Sequence, residues 1–306
     1  MKKIIRIATR KSPLALWQAN HVGQLLIQHW QDVEFSLIPM VTSGDKFLKG
    51  KLLEVGGKGL FVKELEEALL DGRADIAVHS SKDMPATFPE GLSLAAFCKR
   101  DNPFDALVST QFKSIDLLPQ QAIVGTASLR RQSQLLAYRP DLHIKSLRGN
   151  INTRLTKLES GEYQAIILAA AGLERMGLKS NISEYIPEDI MLPACGQGAL
   201  AIECRNDDHE LQKLISALND AQTALCVQVE RLVNAQLGGN CHVPLAVYCS
   251  VLPSQELLLR AKIGSIDGSK IISDQQIGPQ EQAELLARRC TDSLLAQGAQ
   301  KLLGTL

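Results

Sequence analysis

The chain opens with an apolar run over Ile4–Thr9, a stretch of helical spacing over Pro13–Trp30 and a second apolar run over Val33–Met40. Short apolar runs bounded by polar residues read as buried strands, and the 3.6-residue period between them as an amphipathic helix, so a parallel α/β unit begins here. Ser12 before Pro13 marks the helix start, since serine is a good N-cap and the fixed φ of proline suits the first turn. Residues 42–59, TSGDKFLKGKLLEVGGKG, have little periodicity and many glycines and lysines; they predict a mobile loop ahead of a helix at Leu60–Leu70. A loop of that length beside a site can act as a lid. Strands follow at Ala74–His79 and Leu92–Cys98, and the polar stretch Lys99–Pro103 predicts a domain boundary.

A second unit repeats the rhythm, with strand Ala122–Thr126, helix Ser128–Tyr138, strand His143–Leu147 and helix Gly149–Leu158. IATRKSPLALWQ and VGTASLRRQSQL both pass from a strand through small hydroxyl residues into a helix N-terminus, where free N–H groups and the helix dipole favour an anion. Two lobes with an anion-lined cleft follow from that pattern. Ala165–Ala171 is a continuous apolar strand, and LPACGQGALAIECR at 192–205 runs through a glycine-rich turn into a strand that returns to the first lobe. From Gln222 a helix to Leu237, strands near Val243–Val251, Leu257–Ile263 and Lys270–Ile277, and a helix over Gln280–Ala296 predict a small α+β third domain.

With 306 residues the chain has room for two or three such domains. Basic and acidic residues number 33 each, so no global field draws it to nucleic acid or an anionic membrane, and charge recognition must be local. No apolar run approaches the roughly 18 residues that span a bilayer, and the start carries no secretion signal; the expectation is a soluble, cytoplasmic protein. The seven cysteines include no C-x-x-C pair and the six histidines have no metal-like spacing, so no metal site and no disulfide framework is expected.

Three constellations carry chemistry. V-H-S-S-K-D-M-P at 78–85 ends a strand in hydroxyl, cationic and carboxylate groups, a common place for ligand-binding residues; a polar turn capped by Asp83 is an equal alternative. Arg10, Arg130, Arg131, Arg148, Arg154 and Arg175 recur where strands meet loops or helices, and converging guanidinium forks suit a ligand with several carboxylates, although each alone reads as a surface cation. L-G-G-N-C-H-V-P-L at 237–245 puts Cys241 on a glycine-flanked turn, where a buried structural cysteine is the blander reading. G-G-K-G at 56–59 lacks the spacing of a phosphate loop, which disfavours nucleotide binding.

R-I-A-T-R-K-S-P-L-A-L-W-Q, V-G-G-K-G-L-F-V-K-E-L, A-D-I-A-V-H-S-S-K-D, V-G-T-A-S-L-R-R-Q, S-L-R-G-N and L-P-A-C-G-Q-G-A-L, in this order, resemble the porphobilinogen deaminase family from Arg6 to about Ile202, with a looser match around Cys241. The resemblance implies two domains similar to type II periplasmic binding proteins, 1–98 plus 199–216 and 104–192, joined by crossing segments near 99–104 and 194–200, and an α+β third domain, 221–306. It implies an active-site cleft between the first two, and head-to-tail condensation of four porphobilinogens with loss of ammonia, closed by hydrolysis to hydroxymethylbilane. Asp83 would be the acid/base carboxylate. Cys241 would tether a dipyrromethane cofactor through a thioether, with Lys82, Arg130, Arg131, Ser128, Arg154, Thr126 and Ser80 around it. Arg10, Ser12, Gln18, Arg148, Arg154, Arg175 and Lys58 would bind substrate. The family also implies a monomer without nucleic-acid or membrane partners. Phe104, Ser81 and Asn240 depart from the family pattern, where arginine, an apolar residue and glycine or alanine are usual. The rival reading is a solute-binding or ligand-sensing protein, since two α/β lobes around an anion-lined cleft also suit that role; a nonenzymatic interaction protein leaves the strand-end arginines unexplained.

Overall fold

The computed structural model describes residues 2–46, 61–239 and 243–304. β1 (Lys3–Arg10), α1 (Pro13–His29) and β2 (Val33–Met40) lie where the hydrophobic pattern puts them, and the Ser12 hydroxyl accepts a hydrogen bond from the Ala15 N–H at 3.3 Å. The predicted loop begins instead with a helical turn, α2 (Ser43–Lys46); its remainder, with Lys58, lies outside the described residues. α3 (Lys63–Leu70) starts later than Leu60, with Glu64 and Glu66 in its first turn, where the helix dipole favours acids.

The chain continues through β3 (Ile76–Ser80), β4 (Leu92–Phe97), β5 (Asp105–Val108), β6 (Ile123–Gly125), α4 (Leu129–Tyr138), β7 (His143–Lys145), α5 (Ile151–Glu159), β8 (Ala165–Ala169), α6 (Ala170–Arg175) and β9 (Glu184–Tyr185). The apolar run 165–171 therefore splits: the strand stops at Ala169, and Ala170 and Ala171, good helix formers, open α6. β10 (Leu200–Arg205), α7 (His209–Ser216), α8 (Ala221–Gln236), β11 (Leu245–Val251), β12 (Leu257–Gly264), β13 (Ile271–Gly278), α9 (Ala283–Ala296) and α10 (Ala299–Leu303) complete it. Among the described residues no helix is long and apolar enough to cross a membrane.

Two compact units result, Met1–Asp101 with Ala199–Ala224, and Asn102–Gly198 with Leu225–Leu306. The first holds a five-stranded sheet in the order β2-β1-β3-β10-β4. The second holds a five-stranded sheet, β7-β6-β8-β5-β9, and an antiparallel three-stranded one, β11-β12-β13. Both larger sheets share one plan. A parallel trio, β2-β1-β3 or β7-β6-β8, is joined by an antiparallel fourth strand, β10 or β5, so the sheets are mixed rather than purely parallel. In each case that fourth strand is the first one formed after the chain passes between units, at 198–199 or at 101–102. β1-α1-β2 and β6-α4-β7, the two segments that look alike in sequence, hold equivalent places in their sheets.

Each larger sheet is covered on both faces. In the first unit α1 and α7 bury Ile5, Ile7, Ile76 and Ile202, while α3 packs Leu65, Ala68 and Leu69 on Ala8 and Ala77. In the second, Leu135 of α4 covers one face, and Leu155 of α5 and Leu173 of α6 the other. Gly125 in β6 is required by this packing, because a Cβ there would meet Tyr163, Ile166 and Leu147 at 2.8–3.0 Å. α8 and α9 cover the small sheet.

Candidate functional sites

In the first unit a pocket opens at the carboxyl ends of β1 and β3, beside the N-terminus of α1. β1 ends in Arg10, whose guanidinium stacks over the Phe61 ring at 4.3 Å. β3 ends in Ser80, which exchanges hydrogen bonds with buried Gln18 of α1, the Gln18 amide donating at 2.9 Å. A single 3-10 turn, Ser81–Asp83, then delivers Asp83 to the pocket. The structure thus brings Arg10, Ser12, Gln18, Ser80 and Asp83 together, with Phe61, Leu65 and His79 completing much of the wall. Lys82 is half-buried on the same turn. Ser81 is only 3% exposed and its Oγ has no partner among the described residues, although its N–H is bonded to the Ala199 carbonyl. A stranded buried hydroxyl costs about 1–2 kcal/mol. Ser81→Ala is therefore expected to raise stability by about 1 kcal/mol in urea unfolding; a loss of stability would show that the hydroxyl is satisfied in solution.

Behind that pocket the sheet face under α3 carries polar groups where apolar ones would pack better. β10 pairs antiparallel with β3, so Glu203 lies opposite Ala77 and shares a face with His79. His79 Nε2 meets Glu203 Oε2 at 3.0 Å, with both side chains buried. Glu66 of α3 joins them: burial first, then the Glu203 charge, push its carboxyl up to about 7, against a smaller opposing pull from His79. Among the described residues, Oε1 of each glutamate lacks a hydrogen-bond partner. A carboxyl whose pKa is raised on folding gives stability that is complete below its unfolded pKa and is lost as pH climbs through the folded one. Glu66→Gln is expected to match the parent near pH 5 and exceed it by roughly 2 kcal/mol near pH 8, each tenfold change in proton affinity being about 1.4 kcal/mol. Parallel stability–pH curves for the two proteins would rule this out.

The second unit presents a cationic cluster at the equivalent place. Ser128 caps α4 by accepting from the Arg131 N–H, and buried Thr126 accepts from the Ser128 N–H at 3.2 Å. Arg130 and Arg131, 4% and 6% exposed, both reach buried Asp105 of β5, at 2.7 and 2.8 Å. Arg130 also donates to the Leu192 carbonyl and Arg131 to the Ile167 carbonyl. Burial lowers the proton affinity of Arg131, opposed by the Asp105 charge. Two guanidiniums share one carboxylate here, which leaves an excess positive charge out of water; such a place favours an anion. Arg148 follows β7. Arg154, in α5, donates from Nε to the Gly149 carbonyl at 2.7 Å, and Gly149 has φ +118. Arg175 closes α6, rather than following a strand directly, and donates to the Gly198 carbonyl at 2.6 Å.

Cys241 and Asn240 lie outside the described residues. Cys98, Cys204, Cys226, Cys249 and Cys290 are buried, and burial pushes the thiols of Cys204 and Cys290 up to about 11 and about 12, where little thiolate exists at neutral pH. Among the described residues no group of histidine, cysteine and carboxylate side chains is placed to hold a metal. Asp105, Glu66, Glu203 and a role for His79 were not identified from the sequence. Their signal was there: an acid inside an apolar strand, as in A-I-E-C-R, must be paired or perturbed once buried.

Comparison with known proteins completes the picture. The family model described as porphobilinogen deaminase, dipyromethane cofactor binding domain, matches residues 5–213, and that of the porphobilinogen deaminase C-terminal domain matches 224–296. A Legionella pneumophila (strain Lens) protein named porphobilinogen deaminase is 68% identical over 304 residues, covering 99% of this chain and 98% of its own. The strain Philadelphia 1 protein of that name is 67% identical over the same span. Among solved structures, a putative methionine-binding lipoprotein of Bacillus subtilis aligns at 16% identity and TM-score 0.45, covering 72% of this chain and 92% of its own. A Burkholderia cenocepacia nutrient-binding protein bound to methionine aligns at 15% and 0.44, covering 72% and 93%.

Proposed function

The chain belongs to the porphobilinogen deaminase family, the hydroxymethylbilane synthases of tetrapyrrole biosynthesis, and on that premise we propose how its own residues divide the reaction. The single observation that carries the proposal is Asp83, set on the turn after β3 in a pocket it shares with Arg10, Ser12, Gln18 and Ser80. Asp83 makes no hydrogen bond or ion pair among the described residues, so its carboxylate is available to substrate. Beside the protonated aminomethyl group of porphobilinogen it favours the C–N cleavage that releases ammonia, then stabilises the methylene-pyrrolenine cation; a fixed carboxylate in a partly dry pocket does this far better than water. Arg10 takes a substrate carboxylate in its guanidinium fork, with Ser12 and Gln18 adding neutral hydrogen bonds. Arg148, Arg154, Arg175 and Lys58 bind the acetate and propionate groups of incoming and added rings.

The family's cofactor is a dipyrromethane, which when bound supplies the tether and the terminal pyrrole carbon for condensation. Residues of the second unit suit it: its carboxylates would offset the excess positive charge of Arg130 and Arg131 over Asp105, while Thr126, Ser128 and Arg154 supply further donors; Ser80 and Lys82 are assigned to it by the family resemblance alone. Cys241 is the thioether anchor in this reading. We take the working divisions as 1–98 plus 199–216, 104–192 and 221–306, in a cytoplasmic monomer that uses neither nucleic acid nor membrane. The solute-binding alternative is set aside, because the family match spans nearly the whole chain. Intact-mass measurement tests the anchor: the purified protein should carry an excess matching a dipyrromethane, absent from Cys241→Ser. Excess mass retained in that variant would move the anchor elsewhere.

A further inference from the structure

Gln197 belongs to the glycine-rich segment 192–205, is only 1% exposed, and takes no part in the binding and chemistry assigned above. It stands between Gly196 and Gly198, whose φ values of +69 and +89 suit glycine and few other residues. Both neighbours are pinned: the Gly196 N–H donates to the Glu230 carboxylate at 2.6 Å, and the Gly198 carbonyl accepts from Arg175 at 2.6 Å. On this fixed turn the Gln197 side-chain amide donates from Nε2 to the Pro103 carbonyl at 2.7 Å and to Asp105 Oδ1 at 3.1 Å, which occupies both of its protons.

Asp105 is the carboxylate that Arg130 and Arg131 share. Its Oδ1 accepts from Arg131 Nε at 3.0 Å as well as from Gln197, and Oδ2 meets Arg130 Nη1 at 2.7 Å. Gln197 therefore ties down the acid of this cluster without adding charge to it. A glutamate has the same length, but it would set a second carboxylate beside Asp105, and two acids against two guanidiniums leave no surplus. An apolar side chain of similar size would keep the surplus and drop both hydrogen bonds. Of the three, glutamine alone keeps the tie and the charge.

We infer that Gln197 is the positioning residue of the anion site at Arg130 and Arg131: its neutral amide holds Asp105 as their counter-charge and so keeps one positive charge for a ligand carboxylate. The inference rests on the reading that this pair binds ligand carboxylates. Its physical basis is the low effective dielectric of a buried site, where one unit of charge changes anion affinity far more than at a surface.

Sulfate is the probe. The background is full-length Cys241→Ser, confirmed by mass to carry no cofactor, and thermal melts across a sulfate titration at constant ionic strength give an apparent affinity. Near pH 8 a carboxyl beside two guanidiniums is ionised. Gln197→Glu should weaken sulfate binding about tenfold or more, the scale of one charged hydrogen bond. Gln197→Met should melt lower without sulfate yet bind it within about threefold of the background, because the charge count is unchanged. Asp105→Asn combined with Gln197→Glu moves the acid rather than adding one, and should bring sulfate affinity back to within about threefold. With Cys241 intact, a smaller fraction of Gln197→Glu than of Gln197→Met should carry the dipyrromethane mass.

Unchanged sulfate affinity in Gln197→Glu, an equal loss in Gln197→Met, or no recovery in the double variant overturns the inference. If Gln197→Glu does not fold, the double variant and Gln197→Met decide. Arg131→Met in the same background separates this failure from that of the underlying reading. If it leaves sulfate binding intact, the arginine pair is not an anion site and the reading itself falls; weakened binding in Arg131→Met beside unaffected Gln197→Glu sinks only the role of Gln197.

Discussion

Asp83→Asn is expected to fold like the parent and to lose at least about a thousandfold in turnover. The two halves of this result have separate causes. Asp83 is half-buried on a 3-10 turn and its carboxylate makes no hydrogen bond or ion pair among the described residues, so an isosteric amide removes no structural contact. The charge is another matter. Removing one preorganised electrostatic partner of a developing charge commonly costs a factor of about 10²–10³, and the amide also ends any assistance to the leaving amine. The comparison should use protein whose cofactor loading has been checked by mass, followed by porphobilinogen consumption and a thermal melt. Turnover within tenfold of the parent would remove Asp83 from the catalytic role.

The second large effect is on stability. Asp105→Asn is expected to destabilise the protein by about 3–5 kcal/mol, because it strips the counter-charge from two buried guanidiniums at once. Equilibrium unfolding in urea measures this, and a companion double substitution, Asp105→Asn with Arg131→Met, separates the causes. If lost charge balance is responsible, the double variant recovers part of the loss, since only one guanidinium remains. If the double variant is no better than the single one, packing around Asp105 is what matters. A single variant within about 1 kcal/mol of the parent would mean that water or ions already screen the pair.

Much of the fold could be read from local pattern. β1, α1 and β2 follow from alternating runs and a serine–proline start, because these are short-range preferences that each segment satisfies alone. β5 and β9 escaped notice for the opposite reason: with four and two residues they have no period of their own, and become strands only because β8 and then β5 offer an unpaired edge. The last two residues of the run 165–171, Ala170 and Ala171, read as strand because the apolar run is continuous, although alanine favours a helix and the chain turns into α6 there.

The sites divide in the same way. Asp83, Ser80 and Arg10 stand at strand ends, and chain position alone marks them as candidates. Arg130 and Arg131 looked like a pair of available cations, yet their shared partner is Asp105, a residue on β5, a four-residue strand that pairs antiparallel with β8 of the same unit. Likewise His79, Glu203 and Glu66 come from positions 79, 203 and 66 and acquire meaning from one register, Glu203 against Ala77, and from a helix laid over that face. The sequence by itself determined the α/β elements, the strand ends that carry reactive groups, and the family. Only the tertiary structure decided which charges are compensated and which are left over, because desolvation and pairing depend on through-space neighbours that no local pattern encodes.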